Sequence, residues 1–401
     1  MKRWPTIPLS GAMFLITVAT VSGLSVNAHS FTQHCSDHTI AVTLPSVGID
    51  ATIAGTLCWR GPLNSTRTVQ ILLHGGTYDR HYWEDAGQPW RYRYGSIATA
   101  AGFATFSMDR LGTGLSSHPP GDLVTPRANA DAVYGVIEAL KGGDIEDVHF
   151  ERVMLVAHSL GSVVAVEVAS DPASYPNAVD GIILTGFLHA VNITGFTALY
   201  ESQQLGPNDA YPGDSVYGIS SYFTSLDGWE NRLDAFYLDK VNELGWPTVD
   251  YDVVMRDEAV KSTGTTGEAA VLGNPAVLFN PESTIDEIVG AIMEGEFFSS
   301  KSLGISVPVL VVMGQRDAAF CNVPTLPTDP FAADCSSAEA LMAHEAPFYS
   351  PAACLQAVAI ANAAHCLNLH TNVLVTDAAM LTWASLYVGA NAGRPAPIAC
   401  P

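Results

Sequence analysis

The segment from Arg152 to Glu167 constrains the fold of this chain more than any other stretch. A short aliphatic run reaches one serine, Ser159, and a run with helical character leaves from it. A serine at a strand-to-helix turn, flanked by small residues, is typical of a G-x-S-x-G turn that presents its hydroxyl. Gly161 is small enough for such a turn, and Ala157 stands where the pattern has its first glycine. The alternative is a serine in an ordinary strand-to-helix loop, and the rest of the chain decides between the two interpretations.

Apolar strand-like runs alternate with helix-like segments along much of the chain. Strands are predicted at 38–44, 51–60, 68–73, 103–108, 152–157, 179–184, 307–313 and 356–360, and helices at about 128–140, from Leu160 onward and at about 371–388. Apolar strands separated by helices need cover on both faces, so the pattern predicts an α/β fold with a mostly parallel central sheet flanked by helices. With 401 residues, 48% of them hydrophobic, the chain is long enough to bury a large core.

The pattern changes between residues 191 and 304. This stretch is rich in aromatic residues, among them Trp229 and Trp246, and has no strong strand run. We interpret it as an inserted, mainly helical cap whose aromatic residues mostly form its own core, while a few line the site as an apolar wall. The predicted organisation is a signal peptide at 1–28, a core domain at 29–190 and 305–401, and the cap at 191–304.

The N-terminus has the pattern of a secretory signal. Met1-Lys2-Arg3 supplies a basic start, an apolar run follows from about Leu9 to Leu24, and small residues lead to Ala28. These features predict export, with cleavage after Ala28. The alternative is an uncleaved anchor, but the run is short and interrupted by Gly, Ser and Thr. No later segment is long and apolar enough to span a bilayer, so no stable membrane association is expected.

The cysteines indicate the compartment in which the protein works, and the net charge limits its possible partners. All seven cysteines follow the signal, so disulfides are expected, with Cys35–Cys58 and Cys321–Cys335 as candidate pairs and one cysteine left over. The chain has no C-x2-C pair, so its cysteines do not indicate a metal site. Sequons at Asn64 and Asn192 are potential glycosylation sites. The net charge of −22 argues against nucleic acid and anionic membranes as partners.

Two segments are predicted to supply backbone donors beside Ser159. The third predicted strand ends in His74-Gly75-Gly76, and a strand that ends in this way exposes N–H groups at the carboxyl edge of the sheet. Such groups, together with the N–H of the residue after the serine, can stabilise a developing oxyanion. We assign this role to Gly76 and Leu160. The alternative is a tight glycine turn with no chemical role.

A catalytic serine needs an imidazole base, and the base needs a carboxylate that holds its other nitrogen. Asp317 comes just after the predicted strand at 307–313 and is the best candidate for the carboxylate. Asp329, Asp334 and Glu345 are alternatives with less strand context, and a strand-end aspartate can also be a helix cap.

The candidate base lies after the last predicted strand. His365 precedes the C-terminal helix, and His370, five residues further on, is the alternative. Ser159, Asp317 and His365 then follow one another in an order that differs from those of chymotrypsin-like and subtilisin-like proteases.

These motifs together resemble the serine hydrolases of the α/β-hydrolase superfamily that carry a cap after the sixth strand. The resemblance covers nearly all of the chain beyond the signal. Ala157 and Ala364 depart from it, since glycine is common at both positions. Its motifs are His74-Gly75-Gly76, the segment Asp109 to Ser116, the segment Ala157 to Gly161, the segment Gly314 to Asp317, and Ala364-His365.

The resemblance implies acyl transfer to water, with Ser159 as nucleophile and no metal or organic cofactor. It also implies that Asp109 and Gly114 form a structural turn. The expected substrate is a small-to-medium apolar carboxylic ester or lactone. An amidase or exopeptidase of the same fold is the alternative enzyme, and a non-catalytic binding protein is the alternative outside enzymology. Ser159 argues against epoxide hydrolases and haloalkane dehalogenases of this fold, which use an aspartate nucleophile.

Overall fold

The computed structural model describes residues 32–75, 79–84, 90–119, 123–192, 301–317, 319–322, 328–363, 365–370 and 372–391. The strands are β1 (Gln33–Leu44), β2 (Ile49–Arg60), β3 (Thr68–Leu73), β4 (Ala104–Met108), β5 (Arg152–His158), β6 (Ile182–Thr185), β7 (Val309–Gly314) and β8 (Gln356–Ile360). The α-helices among these residues are α1 (Tyr94–Ala100), α2 (Pro126–Gly142), α3 (Leu160–Ser170), α4 (Ala338–Glu345) and α5 (Val373–Tyr387).

One sheet of eight strands organises the described residues, in the order β1-β2-β4-β3-β5-β6-β7-β8. The pairs β1–β2 and β2–β4 are antiparallel, and every later pair is parallel. The predicted α/β class with a mostly parallel sheet is therefore confirmed. Because parallel strands point the same way, the carboxyl ends of β3, β5, β7 and β8 meet at one edge of the sheet, where the motifs found in the sequence lie.

The two faces of the sheet form separate apolar clusters. Successive side chains of a strand point to opposite faces, so Ile71 packs with α2 and α3 while its neighbour Leu72 packs with α1 and α5. All residues of β3 and β7 are buried. Cover on both faces explains why β7 is apolar from Val309 to Met313 and why β3 is apolar except at Thr68 and Gln70, as expected for the centre of a parallel sheet.

Helix α2 shows how local chemistry sets the bounds of an element. Thr125 accepts a hydrogen bond from the Ala128 N–H (3.1 Å), and Pro126 opens the first turn. The helix ends at Gly142, and Gly143, which caps it, has a left-handed φ of 85°. These caps make the helix longer at both ends than the predicted 128–140.

Both predicted disulfides are present. Cys35–Cys58 joins directly opposite positions of β1 and β2, and Cys321–Cys335 closes a loop after β7. Buried Cys366 keeps its thiol. Of the two sequons, Asn64 is exposed, whereas Asn192 is buried and donates to the Cys321 carbonyl (3.0 Å).

Two predicted regions lie outside the described residues: the signal at 1–28 and nearly all of the cap at 191–304. None of the described helices combines the length and the apolar character of a membrane-crossing helix.

Asp377 is a buried carboxyl on the inner face of α5. It is 1% exposed, and neither carboxyl oxygen has a hydrogen-bond partner among the described residues. Burial disfavours the charged form and raises the pKa of Asp377 to about 8. The folded protein therefore holds a proton here that the unfolded chain releases near pH 4.

We predict that Asp377 makes the protein less stable as pH rises. Because the folded-state pKa is raised, the free energy of unfolding should fall between about pH 4 and pH 8, by several kcal/mol. Asp377→Asn should abolish this part of the slope and gain stability over the wild type from pH 5 to pH 9, measured by urea unfolding. The exposed Asp144→Asn is the matched control and should keep the wild-type slope. Equal slopes in wild type and Asp377→Asn would contradict the prediction.

Candidate active site

Ser159 lies at a strained turn between β5 and α3. Its φ of 53° and ψ of −121° are outside the regions that a non-glycine residue normally adopts. Helix α3 begins at the next residue and runs so close to β3 that a Cβ at Gly161 would lie 2.6 Å from the His74 carbonyl oxygen and 2.7 Å from that of Leu73. Only glycine allows this approach. The close packing holds the turn, and the Ser159 side chain stays partly exposed.

His365 contacts both Ser159 and Asp317. Its Nε2 is 3.0 Å from Ser159 Oγ, and its Nδ1 is 2.9 Å from Asp317 Oδ2. A carboxylate only accepts hydrogen bonds, so Nδ1 carries the proton and Nε2 is left to accept the hydroxyl proton of Ser159. The structure thus brings together the three residues that the sequence predicts as nucleophile, base and acid.

Asp317 is held in place by the turn that follows β7. Its N–H donates to the Gly314 carbonyl (3.1 Å), and its second carboxyl oxygen accepts the Ala319 N–H (3.0 Å). The side chain is fully buried.

The alternative acids and the alternative base do not occupy this position. Asp329 and Asp334 accept backbone N–H groups in their own loops, and Glu345 contacts His189. His365, rather than His370, makes both contacts.

Of the two predicted oxyanion donors, only Leu160 lies among the described residues. Leu160 is the first residue of α3, so its N–H has no acceptor within the helix and lies beside Ser159. Gly76 lies outside the described residues. The chain that leads to it is anchored, because the Gly75 carbonyl accepts from His74 Nδ1 (2.8 Å) and from the Arg110 guanidinium (3.1 Å).

His74 is a structural histidine. Its Nε2 accepts the Arg110 N–H (3.1 Å) and lies 3.1 Å from Thr113 Oγ1. Burial, with a contribution from Arg110, lowers the pKa of His74 to about 3. The ring therefore stays neutral and links the end of β3 to the segment after β4.

Asp109 and Gly114 form the structural turn that the resemblance implies. The Asp109 carboxylate accepts the Leu115 N–H (2.8 Å) and pairs with Arg80. A Cβ at Gly114 would lie within 2.7 Å of all three carboxylate atoms, so the turn requires glycine.

A second Ser-His-acid array was not predicted from the sequence. His189 Nδ1 is 2.7 Å from Glu345 Oε2, and its Nε2 is 2.9 Å from Ser302 Oγ. All three residues are almost completely buried, with Ser302 at 0% exposure. Its hydroxyl cannot meet a substrate. The array instead joins the chain just before residue 191 to the chain just after residue 300 and to the end of α4.

Aromatic side chains cover one side of His365. Phe320 stacks on His365, with ring centroids 5.9 Å apart, and Phe187 meets Phe320 edge-on at 6.2 Å. Both phenylalanines are buried. Among the described residues, no group of three or more His, Cys, Asp or Glu side chains is arranged to hold a metal ion.

Comparison with known proteins shows the family. A sequence model of the alpha/beta hydrolase family matches residues 70–378, well over half of the chain. No curated protein sequence gives a significant match.

Solved structures with a similar fold are distant in sequence. Naproxen esterase (carboxylesterase NP) from Bacillus subtilis is 13% identical with a TM-score of 0.51, over 87% of this chain and 92% of that one. A variant of the N-acyl homoserine lactonase AidH is 14% identical with a TM-score of 0.50, over 88% and 98%. The meta-cleavage product hydrolase from Pseudomonas fluorescens IP01 is 13% identical with a TM-score of 0.50, over 86% and 96%. At such identity the likeness shows the fold alone.

The close approach at Gly161 predicts an intolerant position. Gly161→Ala would push a methyl group into two backbone carbonyls and should lower the free energy of unfolding by about 2 kcal/mol or more. Gly142→Ala is the control, because a Cβ there meets its nearest atom at 3.5 Å; its effect should stay within about 1 kcal/mol. Urea unfolding of both variants checks this, and equal effects would show that α3 can move away from β3.

Proposed function

Because the chain belongs to the alpha/beta hydrolase family, we propose that it is a serine hydrolase that cleaves a carboxylic ester or lactone. The observation that carries the proposal is the continuous hydrogen-bonded line from Ser159 through His365 to Asp317. A binding protein on the same scaffold would not need a strained serine aligned with a base and a buried carboxylate, so an enzyme is the better interpretation.

The first step is acylation. Ser159 Oγ attacks the substrate carbonyl carbon while His365 Nε2 takes its proton across the 3.0 Å contact. Asp317, 2.9 Å from Nδ1, stabilises the imidazolium that forms. The imidazolium then protonates the leaving alcohol as the bond from the carbonyl carbon to that oxygen breaks. The product is an acyl ester on Ser159.

Charge on the carbonyl oxygen needs backbone donors during this step. The Leu160 N–H at the start of α3 is one, aided by the positive end of the helix dipole. We assign the second to the Gly76 N–H, which follows the anchored Gly75. In the second half-reaction, His365 takes a proton from water, the hydroxide attacks the acyl carbon, and Ser159 recovers its proton as it leaves.

The apolar surroundings of the base favour an apolar substrate. Phe320 and Phe187 form an aromatic wall beside His365, and the predicted cap is rich in aromatic residues. The fold neighbours include a carboxylesterase and a lactonase, and we extend ester or lactone cleavage to this chain as part of the proposal. The second candidate is an amidase or exopeptidase, since the line of three residues does not by itself select the leaving group.

We also propose that the protein is exported, with cleavage after Ala28. The disulfides Cys35–Cys58 and Cys321–Cys335 support this, because disulfides persist mainly in oxidising compartments.

Hydrolysis of p-nitrophenyl esters tests the proposal. Ser159→Ala should lower kcat by roughly three orders of magnitude or more, because the three residues act as a unit. Ser302→Ala is the matched control: it removes the serine of the buried array and should keep kcat within about tenfold of the wild type. Ester turnover faster than p-nitroanilide turnover selects the esterase over the amidase. Undiminished turnover by Ser159→Ala would refute the proposed nucleophile.

A further inference from the structure

His158, the residue before the proposed nucleophile, has a hydrogen-bonding state that the structure determines. Its Nδ1 is 2.9 Å from Thr185 Oγ1, and Thr185 Oγ1 donates to the Ala157 carbonyl (3.0 Å). A threonine hydroxyl has one proton, so Thr185 must accept the proton of His158 Nδ1. In a neutral imidazole this leaves Nε2 as the acceptor.

His158 Nε2 faces Cys366, the residue that follows the proposed base. Cys366 Sγ is 4.0 Å from His158 Nε2, and a thiol is a weak donor. His158 directly precedes Ser159, and Cys366 directly follows His365. We call residues 158–160 the nucleophile turn and residues 365–370 the base loop. The contact joins these two segments through the residues directly adjacent to Ser159 and His365.

The His158 ring is confined on several sides. The Tyr82 ring lies nearly parallel to it at 4.7 Å, and the His365 ring is 4.9 Å away. A Cβ at Gly186 would lie 2.7 Å from His158 Cε1 and 3.3 Å from His365 Cε1, so the backbone closes another side. The base loop is tied to the same stack, because Asn368 Nδ2 donates to the Tyr82 carbonyl (3.1 Å).

The ring also stays neutral while its neighbour changes charge. Burial, followed by repulsion from His365, holds the pKa of His158 well below its usual value of 6.5. His158 therefore does not compete for the proton that His365 takes from Ser159.

We propose that His158 and Cys366 are positioning residues that hold the base loop against the nucleophile turn, so that His365 Nε2 stays within reach of Ser159 Oγ. The proposal rests on the proposed hydrolase function. Small displacements of a catalytic group can lower the rate by about 100-fold, so a buried contact that fixes the separation of two catalytic loops acts on kcat rather than on substrate binding.

Variants of the pair separate positioning from space filling. His158→Phe keeps a ring but removes both nitrogens, and it should lower kcat roughly 10- to 100-fold with KM within about twofold. Cys366→Ala should lower kcat about threefold to tenfold, whereas Cys366→Ser keeps a donor and should stay within about twofold. The double variant of His158→Phe and Cys366→Ala should be no more than about twofold slower than His158→Phe, because both changes remove one contact.

The matched control removes a buried hydrogen bond elsewhere on the same face of the sheet. Tyr94 OH donates to Gln70 Oε1 (2.9 Å), so Tyr94→Phe should lower stability while kcat stays within about twofold of the wild type. An equal loss of kcat in Tyr94→Phe and His158→Phe would overturn the proposal. If His158→Phe does not fold, the two Cys366 variants decide: equal kcat in Cys366→Ala and wild type would overturn it as well.

A second measurement reports on the base directly. The proton shared by His365 Nδ1 and Asp317 should give a low-field NMR resonance in the wild type, which His158→Phe should broaden or remove and Tyr94→Phe should not. An unchanged resonance in His158→Phe rejects the positioning role. A wild-type protein that hydrolyses neither esters nor anilides would refute the proposed function. The NMR resonance would still test the positioning role of His158, because it does not depend on activity.

Discussion

The packing of α3 against the end of β3 is the constraint on which the candidate site depends. Gly161 sits directly on the carbonyl oxygens of Leu73 and His74, closer than any side chain permits. This contact forces the chain to reverse sharply at Ser159 and leaves that residue with a positive φ. The strain is sustained because the strand and the helix on either side are buried in the core. The serine is therefore presented at the carboxyl edge of the sheet by packing, and the reactive geometry follows from the fold.

Asp317 and His365, which are hydrogen-bonded in line with Ser159, reach the same edge from distant parts of the sequence. Asp317 follows β7 and His365 follows β8, and these strands are adjacent and parallel. Parallel strands bring their carboxyl ends together whatever the length of chain between them, so the stretch between acid and base can be long. Two neutral buried histidines lie next to this arrangement. His74 contacts Gly75 and Arg110, and His158 contacts His365.

From the sequence, a residue could be placed at the carboxyl edge of the sheet where a motif follows an apolar strand. Ser159, Asp317 and His365 lie at such ends, so sheet topology alone brings them close. Helix α1 was missed because it is short, contains glycine and has no side-chain cap at its start. The buried array of Ser302, His189 and Glu345 carries no local signal, since its histidine and glutamate are 156 positions apart. Asp377 was missed because a single carboxyl in a helix is expected to face solvent, whereas α5 turns it inward.

Covalent labelling tests the central claim that His365 and Asp317 activate Ser159. A fluorophosphonate reacts with a serine whose proton is taken by an adjacent base, and peptide mass spectrometry identifies the residue that is modified. We predict modification at Ser159 and not at Ser302, with the labelling rate lowered about 100-fold or more in Asp317→Asn and unchanged in Asp334→Asn. Modification at another serine, or an equal rate in Asp317→Asn and Asp334→Asn, would contradict the account.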